Sequence, residues 1–413
     1  MPTLDVYFYG KKIGTLTEKN SRLSFKYNED ADTPLSVNLP LQKEAFNDKL
    51  TRSFFNNLLP EEGIREAVAR YKQVSSNNPF ALLKEIGGEC AGAVELYPQG
   101  AKREDEPSVL TPISEEKIAE LLKNQAQIPL LVGEEIRLSL AGAQQKIALA
   151  ILPENSDNYY LPQGLYISTH IIKPQNPYFE DIIYNEHFCM SLAKLIGLPT
   201  AHSFIKNFSG QSGYVVKRFD RETDSTMASG LKRIHQEDFC QALCMPDKKY
   251  QKEGGPSIKQ CYKFIAAADF NRKADALMIF LKTIVFNFII GNSDAHGKNF
   301  SFLHRGGKYE LSPLYDLVST QVYTVLSPNL AMSVGGEYNP NLIHRSHFIA
   351  MAKDLEIKPT MVEKIIDEMS AKITAALPEL DKQFAGNGIK TEIIAQIKAL
   401  IENRIKQISS SSG

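Results

Sequence analysis

The most reactive residue types in this chain meet in one short polar loop, Gly291-Asn-Ser-Asp294-Ala-His296-Gly-Lys298-Asn299. A strongly apolar run ends at Ile290, and a carboxylate, an imidazole, an ammonium and an amide follow in close order. A second carboxylate stands downstream in Leu314-Tyr-Asp316-Leu-Val318. Phosphoryl transfer needs such a set, because it depends on positioning and charge neutralisation more than on covalent chemistry. A carboxylate must meet the acceptor hydroxyl, and hard oxygen ligands must hold magnesium against the phosphates. Asp294 is the candidate base, and Asn299 and Asp316 are the candidate Mg²⁺ ligands. Taken alone, Asp294 reads as an aspartate capping a turn, and Asp316 as an ordinary turn residue. Their order, Asp then Asn then Asp, is that of a protein-kinase catalytic loop and the metal site after it, and it reverses that reading. His296 can orient Asp294 or shape the loop; Lys298 can meet the γ-phosphate or stay solvated.

Three upstream segments offer the remaining roles. Tyr166-Ile-Ser-Thr-His-Ile-Ile-Lys173 alternates like a strand and ends in a lysine before Pro174, where a phosphate-binding lysine belongs; a surface lysine at a strand end is the plain alternative. Glu186, on the helix that follows, is its candidate ion-pair partner. Arg137-Leu-Ser139-Leu-Ala141-Gly142-Ala143-Gln-Gln-Lys146 has small residues at 141–143 where backbone can approach phosphate, although it is neither GxGxxG nor a Walker A loop. Ser139 adds a hydroxyl beside Arg137, and on its own it reads as a loop serine with local hydrogen bonds. His235-Gln-Glu237-Asp-Phe239 lies between strand-rich and helix-rich stretches, where a hinge would hold adenine; it also reads as an acidic helix N-terminus.

The elements that must carry these residues follow from periodicity. Residues 4–9 and 12–16 read as a hairpin around Gly10-Lys11, and Leu35-Ser-Val-Asn-Leu-Pro40 as a short strand. A short helix over residues 54–59 stops before Pro60, and another beginning at Phe80 breaks at Gly87-Gly88. The charged, Gly- and Pro-containing stretch 98–107 reads as a linker. Residues 114–123 are helical with Ser114 as N-cap, 136–151 and 165–173 read as strands around a loop, 181–196 as an amphipathic helix, and 214–219 as a strand. Helices are predicted over 237–244, 257–269, 275–290, 347–355, 360–376 and 391–407, with a frayed tail at 409–413. The pattern is α+β: a two-lobed, kinase-like fold, strand-rich first and with an all-helical C-terminal lobe. The division drawn from it is an N-terminal subdomain 1–106, an ATP-binding part 107–240 and a helical lobe 241–413.

Composition narrows the class further. The 413 residues suit two or three domains, and 43% hydrophobic content excludes a disordered chain. With 47 basic and 48 acidic residues, the chain does not read as a stand-alone nucleic-acid binder. No signal peptide and no bilayer-spanning run is visible, and a reducing cytoplasm is the expected location. Cys240 and Cys244 share a helix face but read as core side chains rather than a metal half-site.

Taken together, these segments resemble the HipA family of serine/threonine kinase toxins from bacterial toxin–antitoxin modules. The resemblance rests on the motifs around Ser139, Lys173, Glu237, Asp294 and Asp316, with Leu35-Ser-Val-Asn-Leu-Pro-Leu41 and Phe54-Phe-Asn-Asn-Leu-Leu-Pro-Glu61 upstream. It covers nearly the whole chain. The resemblance implies that Asp294 is the catalytic aspartate, that Asn299 and Asp316 bind Mg²⁺, and that Lys173 binds ATP phosphate. It implies hinge backbone contacts to adenine from Glu237 and Phe239, and self-phosphorylation at Ser139 that silences the enzyme. The implied partners are a small helix-turn-helix, HipB-like antitoxin, with operator DNA bound through it, and a translation component such as an aminoacyl-tRNA synthetase as substrate. Asn-Ser-Asp294 and Asp316-Leu-Val depart from the eukaryotic His-Arg-Asp and Asp-Phe-Gly, departures that the family shares. A small-molecule kinase and a non-catalytic antitoxin- and DNA-binding module are the alternatives.

Overall fold

The computed structural model describes residues 1–101, 108–124, 139, 144–152, 155–164, 166–227, 230–245 and 248–409. The chain divides into two compact units, Met1–Pro174 with Lys206–Asp247, and Gln175–Ile205 with Lys248–Gly413. Residues 175–205 thus pack with the C-terminal part, and the C-terminal stretch of the second unit begins at Lys248.

The first unit opens with a four-stranded antiparallel sheet ordered Arg22–Tyr27, Lys11–Lys19, Thr3–Phe8, Val94–Pro98. Tyr9 and Gly10 turn its first hairpin, both at positive φ, as a tight turn between twisted strands requires. Leu4, Val6 and Leu16 from the sheet are buried against Phe54 and Phe55 of the helix Asp48–Phe55 and Leu83 of the helix Pro79–Ile86. Both helices begin on an asparagine whose side chain accepts a backbone N–H, from Leu50 at Asn47 and from Ala81 at Asn78. The predicted strand at residues 35–40 is instead a loop with a single bridge from Ser36 to Leu39. Its apolar residues alternate because Leu35 and Leu39 plug the core, not because a strand forms.

A second, six-stranded sheet runs Leu110–Ile113, Asn155–Pro162, Ile147–Leu152, His170–Pro174, Gln211–Lys217, Ser203–Phe208. The expected loop between the strands of residues 136–151 and 165–173 thus contains a strand of its own; the second predicted strand begins later, at His170, and of the first the structure gives Ile147–Leu152, with 136–138 and 140–143 outside the described residues. Helix Glu115–Lys123, capped by Ser114, lies over this sheet, and Gly213 leaves the room it needs. A Cβ at Gly213 would stand 2.8 Å from Ile172 and 3.3 Å from Leu122. The helix expected over 237–244 is only Phe239–Ala242, preceded by the strand Gln236–Asp238 and started by an Asp238–Gln241 capping box.

A buried ionic knot joins distant parts of this unit. Glu89 receives Arg218 at 3.1 Å, Arg221 at 2.7 Å and the Ser168 hydroxyl at 2.7 Å. Asp220 receives Arg218 at 2.8 Å, Arg221 at 3.0 Å and the Gly92 amide at 2.8 Å. Burial opposes charge on Glu89 and Asp220, but the facing guanidinium groups win and hold both carboxyls below their ordinary range.

The second unit is helical: Ile182–Leu195, Ile258–Ala267, Lys273–Ile289, Arg345–Asp354, Pro359–Gly386 and Glu392–Ser409. The α+β class stands, and the helical part also carries one hairpin, Ser301–Arg305 with Lys308–Leu311. Ile182–Leu195 is buried on most of its surface instead of one stripe, Asn185 and Glu186 included. Helix Pro359–Gly386 continues through Pro378, which removes one backbone donor; burial of Leu377, Leu380 and Phe384 offsets that loss. All five cysteines are free, and among the described residues no helix is long and apolar enough to cross a membrane.

The knot predicts a pH dependence. A carboxyl held below its unfolded pKa stabilises the fold above that range, and the contribution disappears as pH falls through its folded value. Urea unfolding should therefore give a stability that drops in acid for the wild type. Glu89→Gln should be about 3–5 kcal/mol less stable at neutral pH, with a shallower acid limb. An identical acid limb in both proteins would remove Glu89 from this dependence.

Candidate functional site

Helix Lys273–Ile289 is apolar and buried along its last half, so it delivers the polar loop from a rigid base. Gly291 ends it at φ +69°, and a Cβ there would lie 2.4 Å from Leu400 Cδ2. Glycine is required twice over, for conformation and for space. Asn292 then folds the chain back: its amide donates to Asn287 O at 2.8 Å, and its side chain to Asn287 Oδ1 at 2.9 Å. The Asp294 amide donates to Asn292 Oδ1 at 3.1 Å, His296 N to Asp294 O at 2.7 Å, and Asn299 N to His296 O at 2.9 Å. Ser293 is anchored separately, by its amide to Thr320 Oγ1 at 2.8 Å and by its hydroxyl to Pro328 O at 2.7 Å. Backbone and neighbouring side chains thus fix where Asp294 stands.

The Asp294 side chain is 46% exposed, open enough to meet a substrate. Its Oδ1 accepts the Tyr250 hydroxyl at 2.6 Å, and its Oδ2 lies 3.8 Å from His296 Nε2. His296 is buried and stands edge-on to the Tyr250 ring, with centroids 5.4 Å apart. Tyr250 and His296 therefore flank the carboxylate and limit its rotation. Sequence reasoning missed Tyr250, which lies 44 positions upstream in a stretch without periodic or motif signal.

Asp316 occupies the left-handed region at φ +57°, a conformation that costs a non-glycine residue about 1–2 kcal/mol. Its surroundings hold it there. Leu314 N donates to Pro199 O at 2.7 Å, and Ser319 exchanges two bonds with the buried Asn185 amide, at 2.8 and 3.0 Å. The residue before it, Tyr315, donates its hydroxyl to Lys298 O at 2.7 Å and meets Ser301 Oγ at 2.5 Å. This stitch ties the chain at Lys298-Asn299 to the chain at Tyr315-Asp316. Asn299 and Asp316 are both half-buried and offer oxygen, the donor chemistry magnesium takes, so the pair fits that ion.

The other expected residues lie mostly in the first unit. Lys173 is buried on the strand His170–Pro174, opposite Tyr214 on the neighbouring strand. Glu237 is fully buried; its Oε2 accepts Ser36 Oγ at 2.5 Å and its Oε1 the Val37 amide at 3.1 Å. Phe239 is fully buried, so its ring belongs to the core. Ser139 is also fully buried, donating its hydroxyl to Leu58 O and its amide to Glu89 O, each at 2.8 Å. Ala141, Gly142, Ala143 and Arg137 lie outside the described residues. Glu186, in the second unit, is buried on the helix Ile182–Leu195. The second unit alone thus gathers Asp294, His296, Lys298, Asn299 and Asp316 into two stitched loops.

Comparison with known proteins adds a family. Residues 138–377 match the model of the HipA-like C-terminal domain, and residues 4–97 that of the HipA N-terminal domain. A Sinorhizobium fredii protein named putative kinase Y4mE is 40% identical over 348 residues, 80% of each chain. The serine/threonine-protein kinase toxin HipA of Shewanella oneidensis is 30% identical over 419 residues, 95% of each chain. The Shewanella oneidensis structure of HipA with HipB and operator DNA superposes with a TM-score of 0.84 at 27% identity, covering 98% of this chain and 97% of that one.

The loop's dependence on Gly291 can be tested directly. Gly291→Ala should lower unfolding free energy by about 1–3 kcal/mol, from strain at positive φ and overpacking against Leu400. Thermal or urea unfolding reads it, and an unchanged midpoint would show that the loop can shift without cost.

Proposed function

The chain belongs to the HipA family of kinase toxins, and on that premise we propose that it transfers the γ-phosphate of ATP to a serine or threonine of a protein and phosphorylates itself at Ser139. The observation that carries this reading is the half-exposed Asp294 carboxylate, held by Tyr250 beside a loop stitched to the Asp316 segment. Asp294 accepts the proton of the attacking hydroxyl and aligns its oxygen. Asn299 and Asp316 would hold Mg²⁺, which neutralises phosphate charge when bound. Lys173 would meet the ATP phosphates, and Lys298 the γ-phosphate as a point charge. The backbone at Glu237 and Phe239 would read adenine, and the small residues Ala141, Gly142 and Ala143 would let backbone cover the phosphates. His296 would keep Asp294 in its rotamer.

The surroundings of Ser139 support the consequence of its phosphorylation. The hydroxyl donates to a carbonyl in a fully buried position. A phosphoryl group there has no proton to donate, and it sets nearly two negative charges against the Leu58 carbonyl. Phosphoserine is therefore incompatible with this buried position, and its segment must take another one, which silences the kinase. The acceptor proposed in the cell is a translation component such as an aminoacyl-tRNA synthetase, and the location is cytoplasmic. A HipB-like helix-turn-helix antitoxin is the proposed partner, with operator DNA reached through it, as the composition of the Shewanella assembly supports.

Phosphate incorporation from γ-labelled ATP tests the assignment. Asp294→Ala and Asp316→Ala should each reduce transfer by at least about 10³-fold, the size expected when a reacting or metal-holding group is lost. Ser139→Ala should remove self-labelling and prolong transfer to proteins in a lysate. Full activity in either aspartate variant overturns the site. Labelling of small hydroxylated metabolites without protein transfer would make the chain a small-molecule kinase, and ATP binding without any transfer would make it a non-catalytic module.

A further inference from the structure

The loop Leu35-Ser-Val-Asn-Leu39 is short and apolar in outline, yet its first four residues each bind the segment 235–242. His235 Nε2 meets Leu35 O at 2.9 Å. Ser36 Oγ donates to Glu237 Oε2 at 2.5 Å, and Val37 N to Glu237 Oε1 at 3.1 Å. The Asn38 side-chain Nδ2 donates to Gln241 O at 2.9 Å and Ala242 O at 2.7 Å, at the end of the one-turn helix Phe239–Ala242. From behind, Tyr27 pins the loop to the first sheet, its hydroxyl accepting Leu35 N at 2.6 Å and donating to Leu39 O at 2.5 Å. Ser36 Oγ also accepts the Asn38 backbone N–H at 3.2 Å, which fixes the peptide that carries the Asn38 side chain.

We infer that Ser36 and Asn38 are positioning residues for adenine recognition: the N-terminal region sets the path of the backbone at 237–242 on which the nucleotide base is read. The inference rests on the proposed hinge role of Glu237 and Phe239. Backbone recognition of a flat heterocycle tolerates little displacement, because hydrogen bonds weaken steeply with distance and angle. A fully buried carboxylate supplies the leverage. Glu237 must keep its donors, so the peptide that carries it follows wherever Ser36 and Val37 hold them. Asn38 fixes the far end of the same segment through two carbonyls. Loss of either grip lets the segment shift without removing any group from the phosphate chemistry, so nucleotide affinity falls while the rate at saturation stays.

The test uses the full chain, with AMP-PNP and GMP-PNP as binding probes and 2-azido-ATP as a photolabel. Ser36→Ala and Asn38→Ala should each weaken AMP-PNP binding about tenfold, roughly what one buried hydrogen bond is worth, and narrow the preference over GMP-PNP. Maximal phosphate incorporation at saturating ATP should stay within about twofold of wild type. Asn38→Asp should bind more weakly than Asn38→Ala, because a carboxylate would face two carbonyl oxygens. Half-buried Asn38 keeps the test open if Ser36→Ala does not fold. A merely structural clamp would lower the melting temperature and the active fraction but leave the AMP-PNP Kd and base preference of the folded protein unchanged, and that result overturns the inference. Photolabelling within 235–242 supports the hinge itself. Labelling elsewhere overturns the hinge reading, whereas labelling there with an unchanged Kd in the variants overturns only the clamp.

Discussion

The first unit depends on the pairing of Glu89 and Asp220 with Arg218 and Arg221. Charges withdrawn from water are tolerable only when each meets an opposite charge in good geometry, and here two carboxylates and two guanidinium groups share several such contacts. The knot gathers chain segments that no local interaction would bring together: 89–92, 168 and 218–221. Ser139 joins through the Glu89 carbonyl. Arg218 N also donates to Thr169 O, and Thr169 N to Leu149 O, so three chain segments of the six-stranded sheet meet beside the knot. Lys173 rides on one of these strands. Lys173 and the buried Ser139 are thus placed by one electrostatic arrangement, although neither belongs to it.

The second unit solves a different problem, which is holding a polar loop still. Its answer is a relay. Arg404 on the last helix donates to Gln321 Oε1 at 2.6 Å and to Pro340 O at 2.8 Å, and lies 5.4 Å from the Phe288 ring centroid. Burial pushes its guanidinium below its ordinary pKa, a cost these contacts offset. Gln321 in turn donates to Ser293 Oγ at 3.0 Å, next to Asp294. Leu400, from the same helix, closes on Gly291. The C-terminal helix therefore braces the loop whose precision the chemistry needs, as supporting contacts do around preorganised sites in general.

The two units hold their polar groups in opposite environments. Asp294 is accessible and braced, whereas the Ser139 hydroxyl is sealed against Leu58. The first is open to a substrate, and the second is closed to one by burial and by its hydrogen bond. The N-terminal region contributes through Leu35–Leu39 and Leu58, which reach the proposed adenine-reading segment and the buried Ser139 respectively.

Much of this was legible in residue types and local period. The order of Lys173, Asp294, Asn299 and Asp316 follows from chemistry that admits few substitutes, and long helices such as Lys273–Ile289 announce themselves by apolar content. Ser114 was readable as a cap because its partner is three residues away. Other features depend on the path of the chain. Residues 35–40 alternate like a strand, and only the fold shows that Leu35 and Leu39 plug a core while Ser36 reaches Glu237, 201 positions later. Asn155–Pro162 lacked apolar runs, so its strand character comes from flanking partners instead of its own sequence. Tyr250 carries no motif, and its role arises from meeting Asp294. Sequence alone thus determined the family and which reactive groups stand close together in the chain, since that depends on side-chain type and short spacing. Tertiary structure decided which of them are held, sealed or braced, since those are contacts between residues far apart in the chain, and burial sets their strength.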